Sequence, residues 1–187
     1  MVRLISVEGN IASGKTTLLA RLKRRYGQDS RVAFVPEPVS EWENIKDRSG
    51  TGMLAKYYAD QKKYAFAFQM MAYISRLSLL RNALRSGAEV VITERSVLTD
   101  KHVFAHMLYA DGLLEDVEYA IYTRWFDEFL EEMPAPDVVY VRTTPDTCMV
   151  RLAVRARDGE NVPLTYLQSV HERHEAWLAH PSDRTGY

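Results

Sequence analysis

Residues 9–16 read Gly-Asn-Ile-Ala-Ser-Gly-Lys-Thr, and this octapeptide is the strongest indication of the fold in the sequence. It matches the pattern G-x-x-x-x-G-K-[ST], in which glycines let backbone N–H groups turn toward phosphate oxygens. An apolar run at residues 4–7 precedes it, and a helical pattern over residues 15–26 follows it. Because the motif has meaning only between a strand and a helix, this context predicts nucleotide binding. Lys15 is predicted to reach the β- and γ-phosphates of the nucleotide, and the Thr16 hydroxyl to bind Mg²⁺.

Short apolar runs alternate with longer segments of helical periodicity along the rest of the chain. Strands are predicted at residues 4–7, 32–35, 89–93 and 138–141, and helices at residues 15–26, 54–85, 97–109, 115–131, 145–155 and 163–178. Such alternation favours a parallel sheet with helices on both faces. We therefore predict an α/β fold of the P-loop NTP hydrolase type, with four visible strands, in a single domain of residues 1–180. Residues 181–187 are predicted to form a flexible tail.

Composition narrows the classes of function. The chain has 187 residues, 47% of them hydrophobic and 26% charged, which is typical of one globular domain. Its formal net charge of -1 provides no overall basic field for a nucleic-acid polymer, so a small charged substrate fits better. The single cysteine permits no internal disulfide, and no apolar run is long enough for a membrane span. We expect a cytoplasmic protein; an organelle form whose transit peptide has been removed is the alternative.

Two glutamates are predicted to lie at the carboxyl ends of strands beside the phosphate-binding loop. Glu37 stands between two prolines after the second strand, and Glu94 ends the third in Thr-Glu-Arg-Ser, residues 93–96. A phosphoryl-transfer site needs a proton acceptor and a metal partner, and this edge of a doubly wound sheet is where ligands bind. Glu37 is the candidate base and Glu94 the candidate metal partner. Arg95 is predicted to hydrogen-bond Glu37, to keep it ionised and to stabilise charge in the transition state.

One predicted helix carries a polar stripe. Tyr58, Gln69 and Arg76 are spaced by 11 and 7 residues, intervals that return to within roughly 20° of one face of a continuous helix. Phe68 borders this face, and Ala72 falls near it. Hydrogen-bonding groups beside a small residue and an aromatic ring are typical of one wall of a base pocket. The alternative is that Phe68 belongs to the core and that Arg76 is a surface charge.

Three arginines, Arg151, Arg155 and Arg157, lie close together near the end of a predicted helix. The first two are four residues apart and share a helix face, and the third precedes an Asp-Gly turn. They suit a lid of about residues 151–162 that clamps a transferring phosphoryl group. The alternative is a solvated basic helix face.

Taken together, these motifs resemble a known family. The chain is similar to the deoxynucleoside kinases of the deoxycytidine kinase and deoxyguanosine kinase type, which include viral deoxynucleoside and thymidine kinases. The resemblance rests on EGNIASGKT (8–16), EPV (37–39) with Trp42, FQ (68–69), ERS (94–96), R-x-x-x-R-x-R (151–157), P-L-x-Y-L (163–167) and H-x-x-H-E-x-W-L (171–178). Their order and spacing extend over most of the chain.

The resemblance implies transfer of the γ-phosphate of ATP, with Mg²⁺, to the 5′-hydroxyl of a 2′-deoxynucleoside for nucleotide salvage. The candidate catalytic residues are Lys15, Glu37, Arg95, Arg151 and Arg155, and the metal positions are Thr16 and Glu94. The candidate ATP-binding residues are Gly9, Asn10, Ile11, Ala12, Ser13, Gly14, Lys15, Thr16, Thr17, Arg151, Arg155 and Arg157. The implied substrate-binding residues are Ile11, Glu37, Trp42, Leu54, Tyr58, Phe68, Gln69, Arg76, Arg95, Asp100, Phe104 and Glu160.

Substrate choice and assembly follow from the same resemblance. Arg76 and Asp100 match a charged pair of members that prefer deoxycytidine and deoxypurines, and Asp can accept from an exocyclic amino group where thymine offers a carbonyl. Deoxycytidine or a deoxypurine is therefore predicted to be favoured over thymidine, although thymidine remains a candidate. Family members are commonly homodimers and have a fifth strand, which is expected to be missing because the chain stops at Tyr187.

Two other functions fit the phosphate-binding loop. One is a thymidylate-type nucleoside monophosphate kinase, whose acceptor carries a phosphate that Glu37 would repel. The other is a non-catalytic nucleotide-binding module, which needs no acceptor pocket. The chain has no Asn-Lys-x-Asp motif of the kind that reads guanine.

Overall fold

A computed structural model describes residues 2–131, 133–155 and 162–178. Its strands are β1 (Arg3–Glu8), β2 (Val32–Val35), β3 (Val90–Glu94) and β4 (Asp137–Tyr140). Its helices are α1 (Lys15–Tyr26), α2 (Val39–Asn44), α3 (Met53–Ala59), α4 (Gln61–Leu84), α5 (Val97–Thr99), α6 (His106–Ala110), α7 (Asp116–Leu130), α8 (Pro145–Arg155) and α9 (Leu164–Leu178), with a π-helical segment, Asp100–Ala105, between α5 and α6.

The four described strands form one parallel sheet in the order β2-β3-β1-β4. Helix α1 covers one face, where Leu19 packs with Val7 and Ile92. Helices α4 and α7 cover the other face, where Leu77 and Phe126 lie in one cluster with residues of the sheet. The α/β fold predicted from the alternating pattern is confirmed, since a parallel sheet needs apolar cover on both sides.

This topology decides where a site can form. The carboxyl ends of β1, β2 and β3 lie side by side, because β1 and β2 both pair in parallel with β3. The phosphate-binding loop follows β1, Glu37 follows β2, and Glu94 ends β3. Residues far apart in the sequence therefore meet at one edge of the sheet.

The prediction of one helix over residues 54–85 is wrong. Asp60 adopts φ -149° and ψ 83°, which ends α3, and its side-chain Oδ1 accepts a hydrogen bond of 3.1 Å from the amide of Lys63 at the start of α4. Asp favours such a capping position because its carboxylate satisfies an amide that has no partner within the helix. Tyr58 therefore lies on α3, whereas Gln69 and Arg76 lie on α4.

The helix predicted over residues 97–109 is present but not uniform. Its middle, Asp100–Ala105, is a π-helical segment, a form that occurs mostly as single turns near functional sites. The wider turn sets the directions in which Asp100 and Phe104 leave the backbone, and both side chains line the cavity described below.

Four further predictions concern membrane-spanning segments, the C-terminal tail, the lid and the bounds of the domain. Among the described residues, no helix combines the length and the apolarity that crossing a bilayer requires. The predicted tail (181–187) and residues 156–161 of the predicted lid lie outside the described residues. The single domain of residues 1–180 stays a prediction.

Candidate active site

The phosphate-binding loop begins with a residue that only glycine suits. Gly9 has a φ of 145°, and a Cβ added to it would lie 2.7 Å from the carbonyl oxygen of Val141 and 2.8 Å from Oγ of Ser13. Any side chain at this position would collide with the backbone of the segment after β4. The close approach keeps the loop compact between β1 and α1, with Gly14 in the left-handed region at the start of the helix.

Lys15 and Thr16 stand at the start of α1, where the motif predicts phosphate and metal contacts. The Lys15 side chain is buried and donates a hydrogen bond of 2.7 Å to the carbonyl oxygen of Asn10. Burial, and next the charge of Arg95, lower the pKa of Lys15 to about 7. The Thr16 hydroxyl donates to Oε1 of Glu94 over 2.7 Å, which brings two hard oxygen atoms together beside the lysine.

Glu37 is held by two guanidinium groups. Nη1 of Arg95 lies 2.5 Å from its Oε1, so the predicted contact between these residues is present, and Nη2 of Arg76 lies 3.2 Å from the same oxygen. Burial raises the pKa of Glu37, but the charges of Arg95 and Arg76 outweigh it and hold the pKa at about 2. The carboxylate is therefore ionised at neutral pH and available to accept a proton.

Arg95 reaches this position from a left-handed backbone conformation, with a φ of 62°. Its Nη2 also donates to the carbonyl oxygen of Gly9 over 3.3 Å, and its guanidinium lies 5.3 Å from the ring centroid of Phe104. The buried Nε has no hydrogen-bond partner among the described residues. A buried donor without a partner is costly, and a ligand oxygen would satisfy it.

Arg76 is not a surface charge. It is 1% exposed, and its Nε donates to Oδ2 of Asp100 over 2.9 Å while its Nη1 donates to the backbone oxygen of Glu94 over 2.9 Å. Burial lowers the pKa of Arg76, but Asp100 and Glu37 outweigh that effect and raise it above its ordinary range. Arg76 therefore stays charged and connects Asp100 with the carboxylate of Glu37.

These groups surround a cavity of about 220 Å³. Phe68 stacks on Tyr57 with ring centroids 4.4 Å apart and meets the edge of Trp42 at 5.5 Å, which makes one wall aromatic. The Oε1 of Gln69 is buried at this wall and has no partner among the described residues, so it can accept from a ligand. The predicted residues that line the cavity are Ile11, Ala12, Gly14, Lys15, Thr16, Glu37, Trp42, Leu54, Tyr58, Phe68, Gln69, Arg76, Glu94, Arg95, Asp100, Phe104 and Arg155.

The sequence of this chain matches those of known proteins. The profile of the deoxynucleoside kinase family matches residues 5–185. Deoxycytidine kinase of Rattus norvegicus is 35% identical over 208 aligned positions, which cover 100% of this chain and 79% of that protein. The chain belongs to the deoxynucleoside kinase family.

The chain is also similar to a viral and to a mitochondrial kinase. A probable deoxycytidine kinase of Fowlpox virus is 36% identical over 179 positions, covering 94% of this chain and 71% of that protein. The mitochondrial thymidine kinase 2 of Homo sapiens is 36% identical over 178 positions, covering 94% of this chain and 64% of that protein. As a member of this family, the chain is an ATP-dependent phosphotransferase whose substrates are ATP and a deoxynucleoside.

Several predicted binding residues of the kinase support the cavity without lining it. Asn10 donates from Nδ2 to the backbone oxygen of Leu167 over 2.9 Å, so its side chain anchors the loop to α9. Arg151 donates to the backbone oxygen of Ser13 over 2.7 Å and braces the loop from α8. Gly9 and Ser13 of the loop and Thr17 of α1 do not line the cavity in the described part of the chain. Arg157 and Glu160 lie outside the described residues.

Sequence reasoning missed two aromatic residues of the kinase site. Tyr57 and Tyr166 line the cavity, and their hydroxyl oxygens are 3.0 Å apart, so they join α3 to α9 across it. Tyr166 belongs to the P-L-x-Y-L motif, which was part of the family resemblance, but no function was predicted for this residue. Tyr57 had no signal of its own, because α3 was merged with α4 and the facing residue is 109 positions away. Pro36, Val39 and Ala72 complete the lining.

Proposed function

We propose that this site transfers the γ-phosphate of ATP in line to the 5′-hydroxyl of a 2′-deoxynucleoside, in nucleotide salvage. The observation that carries the proposal is the pairing of the Glu37 carboxyl group with Arg95 and Arg76, in the same cavity as Lys15 of the phosphate-binding loop. A proton acceptor and a triphosphate clamp at one cavity are what phosphoryl transfer to a hydroxyl requires.

Each charged group has a role in this mechanism. Lys15 and the loop amides hold the β- and γ-phosphates, and the acceptor hydroxyl approaches from the side of Glu37. The hydroxyl oxygen forms the new bond to phosphorus as the bond to the β-phosphate oxygen breaks, and the hydroxyl proton passes to Glu37. Arg95 neutralises charge on the moving phosphoryl group, for which its unpartnered Nε is supporting evidence. Arg151, Arg155 and Arg157 complete the clamp from the lid.

Thr16 and Glu94 are the residues that would hold Mg²⁺. A hydroxyl and a carboxylate oxygen side by side form a donor set that suits a hard cation, which completes its coordination with phosphate oxygens and water. When bound, Mg²⁺ neutralises charge on the β- and γ-phosphates.

The opposite end of the cavity is proposed to hold the base and the sugar. Phe68 presents an aromatic wall, and Gln69 offers hydrogen bonds to the base edge. Asp100, held by Arg76, accepts from an exocyclic amino group and faces a carbonyl oxygen when the base is thymine. We therefore propose that deoxycytidine and deoxypurines are preferred over thymidine. Tyr58 and Glu160 are assigned to the sugar 3′-hydroxyl, and Ile11, Trp42, Leu54 and Phe104 to the pocket walls.

A homodimer is supported by an exposed apolar stripe. Val117, Ile121 and Trp125 follow each other at intervals of four on α7 and are 61%, 41% and 47% exposed, and Ile74 on the neighbouring α4 is 48% exposed. A contiguous apolar face of this kind is typical of a surface that another protein covers. A second copy of the same chain covers such a face with the same residues.

The decisive test is an assay of ATP-dependent phosphorylation of the four deoxynucleosides, with dTMP as the control acceptor. Phosphorylation of nucleosides but not of dTMP is expected, and deoxycytidine or a deoxypurine is expected to have the highest kcat/KM. An equal or higher kcat/KM for thymidine would contradict the proposed role of Asp100. Activity on dTMP alone would favour a monophosphate kinase, a function that the family match does not favour.

A further inference from the structure

Glu8, the last residue of β1, is a buried carboxyl group that the mechanism above does not use. It is 0% exposed and immediately precedes the phosphate-binding loop. Its Oε1 accepts hydrogen bonds from the amide of Ser96 over 2.8 Å and from the hydroxyl of Ser96 over 2.7 Å, and its Oε2 accepts from the hydroxyl of Thr99. A buried carboxyl group with three neutral donors holds two segments together in a defined geometry.

The segment that it holds begins at Arg95. A left-handed backbone is unfavourable for an arginine, and it persists only when surrounding contacts impose it. Those contacts surround the residue on both sides. The amide of Arg95 donates to the backbone oxygen of Val7 over 3.0 Å, its carbonyl accepts from the hydroxyl of Thr93 over 2.9 Å, and the next residue, Ser96, is fixed twice by Glu8.

The direction of the Arg95 side chain follows from this backbone conformation. The guanidinium meets Glu37 and the carbonyl oxygen of Gly9, whereas a right-handed or extended backbone at Arg95 would start the side chain in another direction. Glu8 itself is not among the residues that line the cavity in the described part of the chain. Glu8 can therefore affect catalysis in two ways: through the segment that it holds, or through its charge, which acts to raise the pKa of the nearby Lys15 amine.

We propose that Glu8 is a positioning residue, which keeps Arg95 in the left-handed conformation that aims its guanidinium at Glu37 and at the transferring phosphoryl group. This inference rests on the role proposed for Arg95. Glu8, which precedes the phosphate-binding loop, would then fix the conformation of Arg95, although the two residues are 87 positions apart in the sequence.

A double-mutant cycle tests the inference. Kcat and both KM values are measured with radiolabelled ATP for the full chain and for the variants Glu8→Ala, Arg95→Ala and the combination of the two. Since a displacement of about 1 Å at a catalytic group can cost 10²-fold, Glu8→Ala is expected to lower kcat by roughly 10- to 100-fold while both KM values change much less. In the Arg95→Ala background, the same substitution is expected to change kcat by less than about twofold, because the group that it positions is gone.

Two milder variants keep the test informative should Glu8→Ala fold poorly. Glu8→Gln retains an oxygen that can accept from Ser96, so it is expected to restore most of the kcat lost in Glu8→Ala. Ser96→Ala removes one of the donors, so its smaller loss of kcat is expected to vanish when Arg95 is also alanine. The control for stability alone is Tyr73→Phe, which removes a buried hydroxyl that faces backbone oxygens of α7. It is expected to lower Tm and to leave kcat unchanged.

The outcomes separate this inference from the proposed function. If Arg95→Ala lowers kcat strongly but Glu8→Ala and Ser96→Ala lose the same factor with and without Arg95, Glu8 does not act through Arg95 and the inference is overturned. If Arg95→Ala retains wild-type kcat, the role of Arg95 in the proposed function fails, and the inference fails with it. A loss of kcat that tracks Tm across all variants, Tyr73→Phe included, also overturns the inference.

Discussion

Among the charged side chains that line the cavity are those of Asp100, Arg76, Glu37 and Arg95, and each charge must be compensated there. An isolated charge loses several kcal/mol of hydration on burial, so such groups occur in pairs or networks. Here the acids and bases alternate: Asp100 contacts Arg76, Arg76 contacts Glu37, and Glu37 contacts Arg95. The network keeps the proposed base, Glu37, ionised and holds Arg95 in place before any substrate binds.

Replacing Glu37 by glutamine tests the proposed base. Glu37→Gln keeps the shape of the side chain but cannot accept a proton, so kcat is expected to fall on the order of 10²–10⁴-fold, the usual contribution of a general base. Nucleoside binding, measured by calorimetry, is expected to remain within about tenfold of wild type, since the cavity wall is preserved. Glu41→Gln, at an exposed position on α2, is the matched control. Near wild-type turnover of Glu37→Gln would remove Glu37 from the role of base.

The lowered pKa of Lys15 predicts a pH dependence of ATP binding. Because burial and Arg95 lower this pKa to about 7, Lys15 is largely neutral above that pH in the free protein. The triphosphate favours the charged amine and raises its pKa, so ATP binding is expected to take up protons between about pH 7 and 9. Affinity should then decrease as the pH rises through this range, with a slope of at most about tenfold per unit.

Calorimetry in buffers with different ionisation enthalpies measures this uptake. Lys15→Met is the control, because it removes the titrating amine and leaves any protons that belong to ATP itself. Equal proton uptake by the wild-type protein and by Lys15→Met at pH 8 would contradict a lowered pKa for Lys15.

Among the secondary-structure elements, α4 and the π-helical segment after α5 line the end of the cavity that is proposed to bind the base. Helix α4 contributes Phe68, Gln69 and Arg76, and the π-helical segment contributes Asp100 and Phe104. The contact between Arg76 and Asp100 joins the two elements in the interior, with side chains that are each 2% exposed. Breaking one member of such a pair leaves the other buried without its partner.

The pair can be tested by removing one charge or both. Asp100→Ala is expected to cost about 3–5 kcal/mol of unfolding free energy, because Arg76 stays buried and charged. The combination of Arg76→Met with Asp100→Ala removes both charges and is expected to cost less, and to raise kcat/KM for thymidine relative to deoxycytidine. Urea denaturation and the nucleoside assay measure the two effects.

The exposed pair between Arg3 and Asp137 provides the comparison. Its side chains are 68% and 59% exposed, so Asp137→Ala is expected to cost less than about 1 kcal/mol of unfolding free energy. If Asp100→Ala costs no more than Asp137→Ala, the buried pair does not stabilise the contact between α4 and the π-helical segment.

For the whole molecule, the exposed stripe on α7 is the surface through which two copies are proposed to associate. Ile121→Glu places a charge in the middle of the stripe, and burying it in a dimer would be costly. The mass in solution, measured by size-exclusion chromatography with light scattering, is expected to shift from dimer to monomer. The matched control is Val154→Glu on α8, where the native side chain is 83% exposed and lies outside the stripe. A wild-type monomer, or an Ile121→Glu variant that is still a dimer, would contradict the proposed interface.

Much of the active site was predictable because its motifs are local. The phosphate-binding loop requires a strand, a glycine turn and a helix in sequence order, and all three are adjacent in the chain. Glu37 and Glu94 were predictable because the ends of parallel strands share one edge of a sheet. The contact between Arg95 and Glu37 is confirmed. It forms because Glu37 follows β2, Arg95 follows β3, and these two strands pair in parallel.

The break between α3 and α4 was not predicted. Because of it, Tyr58 lies on a different helix from Gln69 and Arg76. Residues 54–85 contain no proline or glycine that would mark a break near Asp60, and residue types alone do not show where the backbone leaves the helix. Tyr58 nevertheless reaches the same cavity as Gln69 and Arg76, because α3 packs back against α4. The three residues line one cavity, but the single helix face that was predicted to connect them does not exist.

The class of the fold, the position of the phosphate-binding loop and the family could be predicted from the amino-acid sequence, since each depends on residue types at short spacings or on motifs in a known order. Three contacts became evident only in the folded chain: Arg76 binds Glu37 as well as Asp100, Tyr57 meets Tyr166, and Glu8 holds the segment of Arg95. These contacts join residues 39, 109 and 88 positions apart. Their physical cause is burial: a polar group removed from water needs a partner, and the partner is whatever the packing of the sheet and helices brings within hydrogen-bond distance.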